Sequence, residues 1–107
     1  MEISQYQVIL VNLDPEVGNE EKKTGQCLVI SPDEMNKFLR TIIIAPLHLD
    51  SEGYPTRIKI KHNNKTSRVV LDQITTIEKH RIVKVLGEIS GPEIKKIKAV
   101  LKETFID

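Results

Sequence analysis

Three consecutive isoleucines, in "RTIIIAP" (Arg40 to Pro46), constrain this chain more than any other stretch. Successive side chains of a strand point to opposite faces, so Ile42, Ile43 and Ile44 cannot share one side. Such a run suits a strand buried on both faces or set deep in a barrel. The rest of the chain must then supply apolar cover above and below it. A length of 107 residues is one domain's worth, with one small core. Residues 1–107 are therefore expected to form a single domain.

The neighbouring segments can supply that cover. "YQVILVNL" (Tyr6 to Leu13) and "QCLVIS" (Gln26 to Ser31) read as β-branched, apolar strands. Between them, "DPEVGNEEKK" has Asp-Pro and Gly18 as turn signals and a solvated mix of acids and bases. Gly25-Gln26 then stands at the loop-to-strand junction. "PDEMNKFL" predicts one or two helical turns. "TRIKIKH" (Thr56 to His62) alternates, with Arg57, Lys59 and Lys61 on one side and Ile58 and Ile60 on the other. "NNK" marks a hairpin turn, and "TSRVVLD" returns from it. A last strand is expected near Ile82 to Leu86, stopped by Gly87. The period then changes: Ile94, Ile97, Leu101 and Phe105 line one face of a helix. Ser90 and Glu93 form a capping box, with Pro92 tolerated in the first turn. The fold expected is mainly β, a compact barrel capped by a C-terminal α-helix.

Composition excludes some functions. The chain is 39% hydrophobic and 29% charged, an ordinary globular balance. A net charge of +1 argues against a strongly basic carrier of nucleic acid, although the distribution of charge matters more. The one cysteine, Cys27, excludes an intramolecular disulfide; in an apolar strand it reads as a small buried hydrophobe, with a reactive thiol as the alternative. The start, "MEISQYQ", is polar and acidic, unlike a secretory signal. No apolar run approaches the roughly 18 residues of a membrane span. A cytoplasmic protein with no membrane partner is expected.

The strongest chemical signal is electrostatic. From Arg57 to Arg68 there are five Lys or Arg residues plus His62, and no acid. On one strand face such charges stand roughly 7 Å apart. That spacing is comparable to successive phosphates on an extended single strand, and a polyanion would relieve their repulsion. The competing reading is a solvated sheet edge, where lysines discourage pairing. Tyr6, Phe38, Tyr54 and Phe105 are the only aromatics, a thin platform for stacking bases. Of the histidines His48, His62 and His80, none is spaced from a second His or Cys as a zinc site needs, so no metal or cofactor is expected. His48 ends a strand and enters a loop, which suits acid-base work. Asp72-Gln73 also ends a strand, either as a turn cap or as a site pair.

Several of these segments, in order, resemble the MazF/PemK/Kid family of bacterial toxins. They are "VILVNLDPEVGNEEKK" with Gly18, Asn19 and Glu20; "CLVISPDEMN" with Ser31, Pro32 and Asn36; "IIIAP"; "GYP" at Gly53 to Pro55; and "VVLDQITTIEKHRIVKVLGEIS" with Arg81. The resemblance spans about residues 6 to 105. It implies an SH3-like barrel of the MazF/PemK/CcdB type with a C-terminal helix, usually a homodimer. It also implies an endoribonuclease toxin, an mRNA interferase, partnered with a cognate antitoxin. Such enzymes cleave single-stranded RNA without a metal: the 2′-OH attacks the adjacent phosphorus and leaves a 2′,3′-cyclic phosphate. That step needs a base, a cation for the developing charge and an acid for the leaving oxygen.

The chain departs from the pattern where the chemistry belongs. The family's second strand begins Arg-Pro, with the Arg as principal catalytic group; Gly25-Gln26 stands there. A Thr follows the strand proline by one residue; His48 stands there. Asp-Gln is commonly followed by x-Arg or x-Lys; here Ile74-Thr75 follows. Asp72 and Gln73 match, and Asn19 stands where some relatives have His. The implied catalytic positions are Gly25, His48, Asp72 and Gln73. The implied RNA-binding residues are Asn19, Glu20, Lys22, Lys23, Arg57, Lys59, Lys61 and Arg68. Losing one preorganised charge stabiliser costs on the order of 10²- to 10³-fold in rate, so weak or absent cleavage is expected. The alternatives are a rewired ribonuclease using His48, a non-catalytic module binding RNA or antitoxin, and a gyrase-binding toxin like CcdB.

Overall fold

The computed structural model describes residues 2–13, 23–49, 54–62 and 64–106. In chain order the strands are β1 (Gln7–Asn12), β2 (Thr24–Val29), β3 (Thr41–His48), β4 (Arg57–His62), β5 (Lys65–Val70), β6 (Thr75–Glu78) and β7 (Ile82–Glu88). The helices are α1 (Asp33–Phe38) and α2 (Gly91–Phe105), and 3-10 turns occupy Leu71–Gln73 and Lys79–Arg81. The seven-stranded sheet runs β4-β5-β3-β2-β1-β7, with β6 off that path and paired to β3. Its ladders are all antiparallel. The sheet curls so far that its two end strands meet: a Cβ added at Gly87 of β7 would lie 2.7 Å from His62 Nε2 of β4. No ladder joins β4 to β7 among the described residues, so the barrel closes through side chains.

The isoleucine strand is the hub. One edge of β3 pairs β2, from Cys27↔Pro46 to Val29↔Ile44. Its other edge is shared, with β6 along Thr41 to Ile44 and β5 at Leu47 and His48. On one face Ile42 and Ile44 pack with Ile9, Val11, Cys27, Val29 and Ile77. On the other, Ala45 packs with Val8, Leu28, Val69 and Ile97 of α2. The strand is thus buried on one face through Ile42 and Ile44 and on the other through Ala45, while Ile43 is only half-buried and belongs to neither cluster. The second face is called the helix-covered face below.

Polar contacts fix the smaller elements. Ser31 and Asn36 are buried and bond side chain to side chain. Asn36 Nδ2 donates to the Ser31 carbonyl at 2.9 Å, and Ser31 Oγ accepts from the Ile43 N–H at 3.0 Å, which ties α1 to β3. The capping box of α2 forms: Ser90 Oγ accepts from Glu93 N–H at 3.3 Å, and Glu93 Oε1 accepts from Ser90 N–H at 2.9 Å. Glu93 Oε2 also accepts from the Lys61 N–H at 2.7 Å, so the helix cap covers part of the edge strand β4. Burial pushes the Glu93 carboxyl up, but these hydrogen bonds outweigh it and hold the group below its ordinary range.

Five expectations need correction. Gly25-Gln26 lies within β2, which starts at Thr24, not at the junction before it. Gly87 does not stop β7; it sits inside the strand at φ +153, beside a register shift, as a bulge requires. Asp72 and Gln73 lie in a 3-10 turn after β5 rather than on the strand. The sequence reading has no strand at Thr75–Glu78; β6 is four residues long with one buried side chain, Ile77, too short to show an alternation. Phe105 lies outside the apolar stripe of α2 and is 60% exposed, because the packed face ends at Leu101. Among the described residues, no helix is long and apolar enough to cross a membrane.

Candidate nucleic-acid interface

Register brings four of the predicted residues into one line. His48 pairs directly with Arg68, and Arg68 with Lys59. Continuing the β2–β3 register two residues beyond Cys27↔Pro46 sets Gly25 opposite His48. Gly25 in turn pairs with Val11. Residues directly opposite in antiparallel strands share a face and have Cα atoms about 4.5–5.5 Å apart. His48, Arg68 and Lys59 are thus paired across β3, β5 and β4, and Val11 and Gly25 across β1 and β2; the β2–β3 ladder ends at Cys27↔Pro46, and its extended register aligns the two groups in one transverse row. It lies on the face that carries Ile42 and Ile44, at the edge of that apolar cluster, to which Val11 belongs. His48 and Lys59 are exposed, and Arg68 and Gly25 are partly so. Arg68 and Lys59 are cations directly opposite each other on this face.

The remaining cations of β4 divide by partner. Lys61 shares the Lys59 face and is exposed. Arg57 shares it too, but its Nε lies 3.3 Å from Asp72 Oδ1 and its Nη2 lies 3.4 Å from Asp72 Oδ2. Its guanidinium also stacks 4.7 Å from the Tyr54 ring centroid. Thr56 Oγ1 donates to Asp72 Oδ1 at 2.9 Å. The Arg57 guanidinium first, and the Thr56 hydroxyl second, hold the Asp72 carboxyl below the usual carboxylate range. Asp72 thus acts as an acceptor that anchors the start of β4, and Gln73 is exposed beside it.

The other end of the row is covered. A Cβ on Gly25 would lie 2.8 Å from Leu13 Cδ1 and 3.4 Å from Leu13 Cγ. Leu13, two residues past Val11, lays its side chain diagonally over the glycine. Its backbone is held at both ends. Leu13 N–H donates to the Lys23 carbonyl at 2.8 Å, and the Leu13 carbonyl accepts from Arg81 Nη2 at 3.0 Å. Arg81 Nε donates to the Asn12 carbonyl at 3.0 Å, so one guanidinium clamps the end of β1. Position 25 therefore offers no charge, and an apolar side chain fills its space. Gln26 points to the helix-covered face, away from the row, because side chains alternate. Cys27 is buried; desolvation pushes its thiol up to about 11 despite the nearby Arg81, so it is not a nucleophile at neutral pH.

The structure therefore gathers Gly25, His48, Arg68 and Lys59, flanks them with Lys61, and sets the Arg57–Asp72 pair and Gln73 at one end of β4. Lys23 is exposed at the start of β2. Asn19, Glu20 and Lys22 lie outside the described residues. Sequence reasoning missed Leu13 as a cover, because an apolar residue ending a strand reads as ordinary core. It matched Arg81 to a motif without seeing the clamp, which only the β1–β7 adjacency creates.

The sequence profile described as "PemK-like, MazF-like toxin of type II toxin-antitoxin system" matches residues 4–105. An endoribonuclease MazF of Staphylococcus saprophyticus is 28% identical over 96 residues, covering 84% of this chain and 80% of that protein. MazF from Deinococcus radiodurans superposes with a TM-score of 0.78 at 20% identity, over 100% of this chain and 99% of that one. An endoribonuclease in complex with its cognate antitoxin, from a mycobacterial species, superposes with a TM-score of 0.77 at 20% identity, over 95% and 91% of the two chains. These structural likenesses bear on the fold. The profile covers nearly all of the chain, which therefore belongs to the PemK-like, MazF-like toxin family of type II toxin-antitoxin systems.

Proposed function

We propose that this toxin acts in the cytoplasm as a homodimer, binds single-stranded RNA along the Gly25–His48–Arg68–Lys59 row, and cleaves it weakly or not at all. A cognate antitoxin would cover the same face. The observation that carries this reading is the asymmetry of the row. Its β4–β5 side bears Lys59 and Arg68 for phosphate, and its β1–β2 side bears Gly25 under Leu13. RNA binding needs the first side; charge stabilisation of a pentavalent phosphorus needs a cation at the second. Arg68 beside His48 favours a second reading, a rewired ribonuclease in which His48 moves the proton and Arg68 meets the charge.

One experiment separates the two. Purified protein is incubated with mixed-sequence RNA, binding is read by fluorescence anisotropy, and fragment 5′ ends are sequenced. Saturable, salt-sensitive binding without site-specific ends supports the proposal. Site-specific ends that vanish with His48→Ala support the rewired enzyme. Absence of binding at low salt would remove RNA from both.

A further inference from the structure

A second site lies on the other face of the same strands. A cavity of about 330 Å³ is lined by Gln26, Leu47, Leu49, His62, Lys65 and Ser67. Register explains why these residues converge. Ile60 pairs with Ser67 and His62 with Lys65, while Leu47 pairs with Val69; Ile60, Val69 and Leu47 all belong to the helix-covered cluster. Gln26 stands opposite Leu47 when the β2–β3 register is continued by one residue. The cavity is thus the open end of the helix-covered face, with the sheet between it and the His48 row. It is a different place with different residues.

Its lining is unusual in what it leaves unused. Ser67 makes no side-chain hydrogen bond among the described residues, and its hydroxyl keeps contact with solvent at the cavity, so it is free to donate to a ligand atom. The Gln26 amide, the Lys65 ammonium and the His62 imidazole likewise make no side-chain hydrogen bond or ion pair among the described residues. Among the described residues, no carboxylate lines the cavity. Lys65 is a fixed positive charge, and His62, Ser67 and Gln26 all supply donors, so the occupant carries an anionic group. Leu47 of β3 and Leu49, in the turn just past its end, both line the cavity and present an apolar wall to a flat body. Gln26 beside them both donates and accepts through its amide, as recognition of a nucleobase edge requires. The volume lies at the small end of ligand pockets and suits one nucleotide unit.

We propose that this cavity binds a single nucleotide, with its base against Leu47 and Leu49, its edge read by Gln26, and its phosphate held by Lys65, His62 and Ser67. The nucleotide comes either as a free nucleoside 5′-monophosphate or as one unit of an RNA strand that passes over the end of β3, where His48 and Leu49 face opposite sides. This goes beyond the RNA-binding row and stands without it when the nucleotide is free.

The test is a titration of isotope-labelled protein followed by backbone and side-chain amide resonances. The four ribonucleoside 5′-monophosphates are added in turn, then inorganic phosphate, then a short single-stranded oligoribonucleotide. Saturable shifts at Gln26, Leu47, Leu49, His62, Lys65 and Ser67 are expected with at least one monophosphate. Binding weakens about tenfold or more in Lys65→Glu, as loss of a charge-assisted hydrogen bond predicts. Gln26→Leu flattens the preference among the four bases and leaves phosphate binding in place. If RNA is the source, the oligonucleotide binds tighter than its monophosphates and competes with them; if the free nucleotide is the source, it does neither. Lys59→Glu weakens the oligonucleotide and spares the monophosphates, so failure of the RNA row and failure of this cavity are told apart. Monophosphate shifts confined to other residues, unchanged affinity in folded Lys65→Glu, or occupancy by an acidic peptide in preference to every nucleotide would each overturn the proposal.

Discussion

His48 and Arg68 stand directly opposite each other across the β3–β5 ladder. Among the described residues, the pairing sets a cation beside the imidazole, and Gly25, aligned with its other side, supplies none. A phosphate above His48 would meet positive charge from β5 and β4 and an apolar leucine from β1. Charge that develops on phosphorus is stabilised only by donors already in place, so under the proposed function this row is expected to bind better than it cleaves.

Lys59 is the exposed cation in the middle of the β4 stripe, and RNA affinity should follow it. Lys59→Ala is expected to lower affinity across sequences and to reduce the slope of log K against log salt by about 0.7, one phosphate contact on a single strand. Arg57→Ala should act differently, because Arg57 is engaged with Asp72 and Tyr54. Its main effect would be on stability, with a smaller change in the salt slope. Anisotropy titrations at several salt concentrations, alongside urea unfolding, distinguish the two.

Asp72 makes stability depend on pH. Its folded carboxyl is held below the ordinary value, so the contribution is present above the unfolded carboxylate pKa and is lost as pH falls through the folded value. Asp72→Asn should be less stable than the wild type at neutral pH and approach it in acid, below about pH 4. The side chain is exposed, so the difference is small. Urea midpoints across pH 2.5 to 7 (roughly the carboxylate range) read it; a gap between the two proteins that stays constant with pH would contradict the assignment.

The cap of α2 serves two elements at once. Ser90→Ala should cost about 1 kcal/mol, as an N-cap of this type usually does. Glu93→Ala should cost more, because it also leaves the Lys61 N–H of β4 without its acceptor, a loss of roughly 1–3 kcal/mol where that group stays shielded from water. Denaturant unfolding checks the order. Equal losses would mean that water replaces Glu93 at the strand edge.

The barrel, its hub strand and its terminal helix were legible because they rest on period. The isoleucine run announces a strand buried twice, the Arg57–Lys61 alternation announces a half-buried one, and Ser90 with Glu93 announces a helix start. Strand β6 was not legible: with Ile77 alone turned inward it carries no period. Gly87 reads as a stop in sequence, yet at φ +153 it is a bulge that makes room for His62. The candidate site was legible as a set of positions, but not as a row, since the alignment of Gly25, His48, Arg68 and Lys59 depends on the register of four ladders. The Leu13 cover and the Ser67 cavity arise from contacts between strands far apart in sequence, and no local pattern records them.

The central claim is that RNA binding survives here while position 25 lacks its cation and is covered by Leu13. The most direct measurement is 5′-end mapping of RNA cleaved by the wild type, Leu13→Ala, Gly25→Arg and the Gly25→Arg/Leu13→Ala double variant, each checked for folding and RNA binding. The account predicts little cleavage by the wild type and Leu13→Ala, and a rise of roughly 10²-fold or more in the double variant, the size expected for one restored charge stabiliser. Gly25→Arg alone should fall between, because Leu13 Cδ1 stands 2.8 Å from where the new Cβ must go. A wild type that cleaves as fast as the double variant, or a folded, RNA-binding double variant that stays inert, would contradict the account.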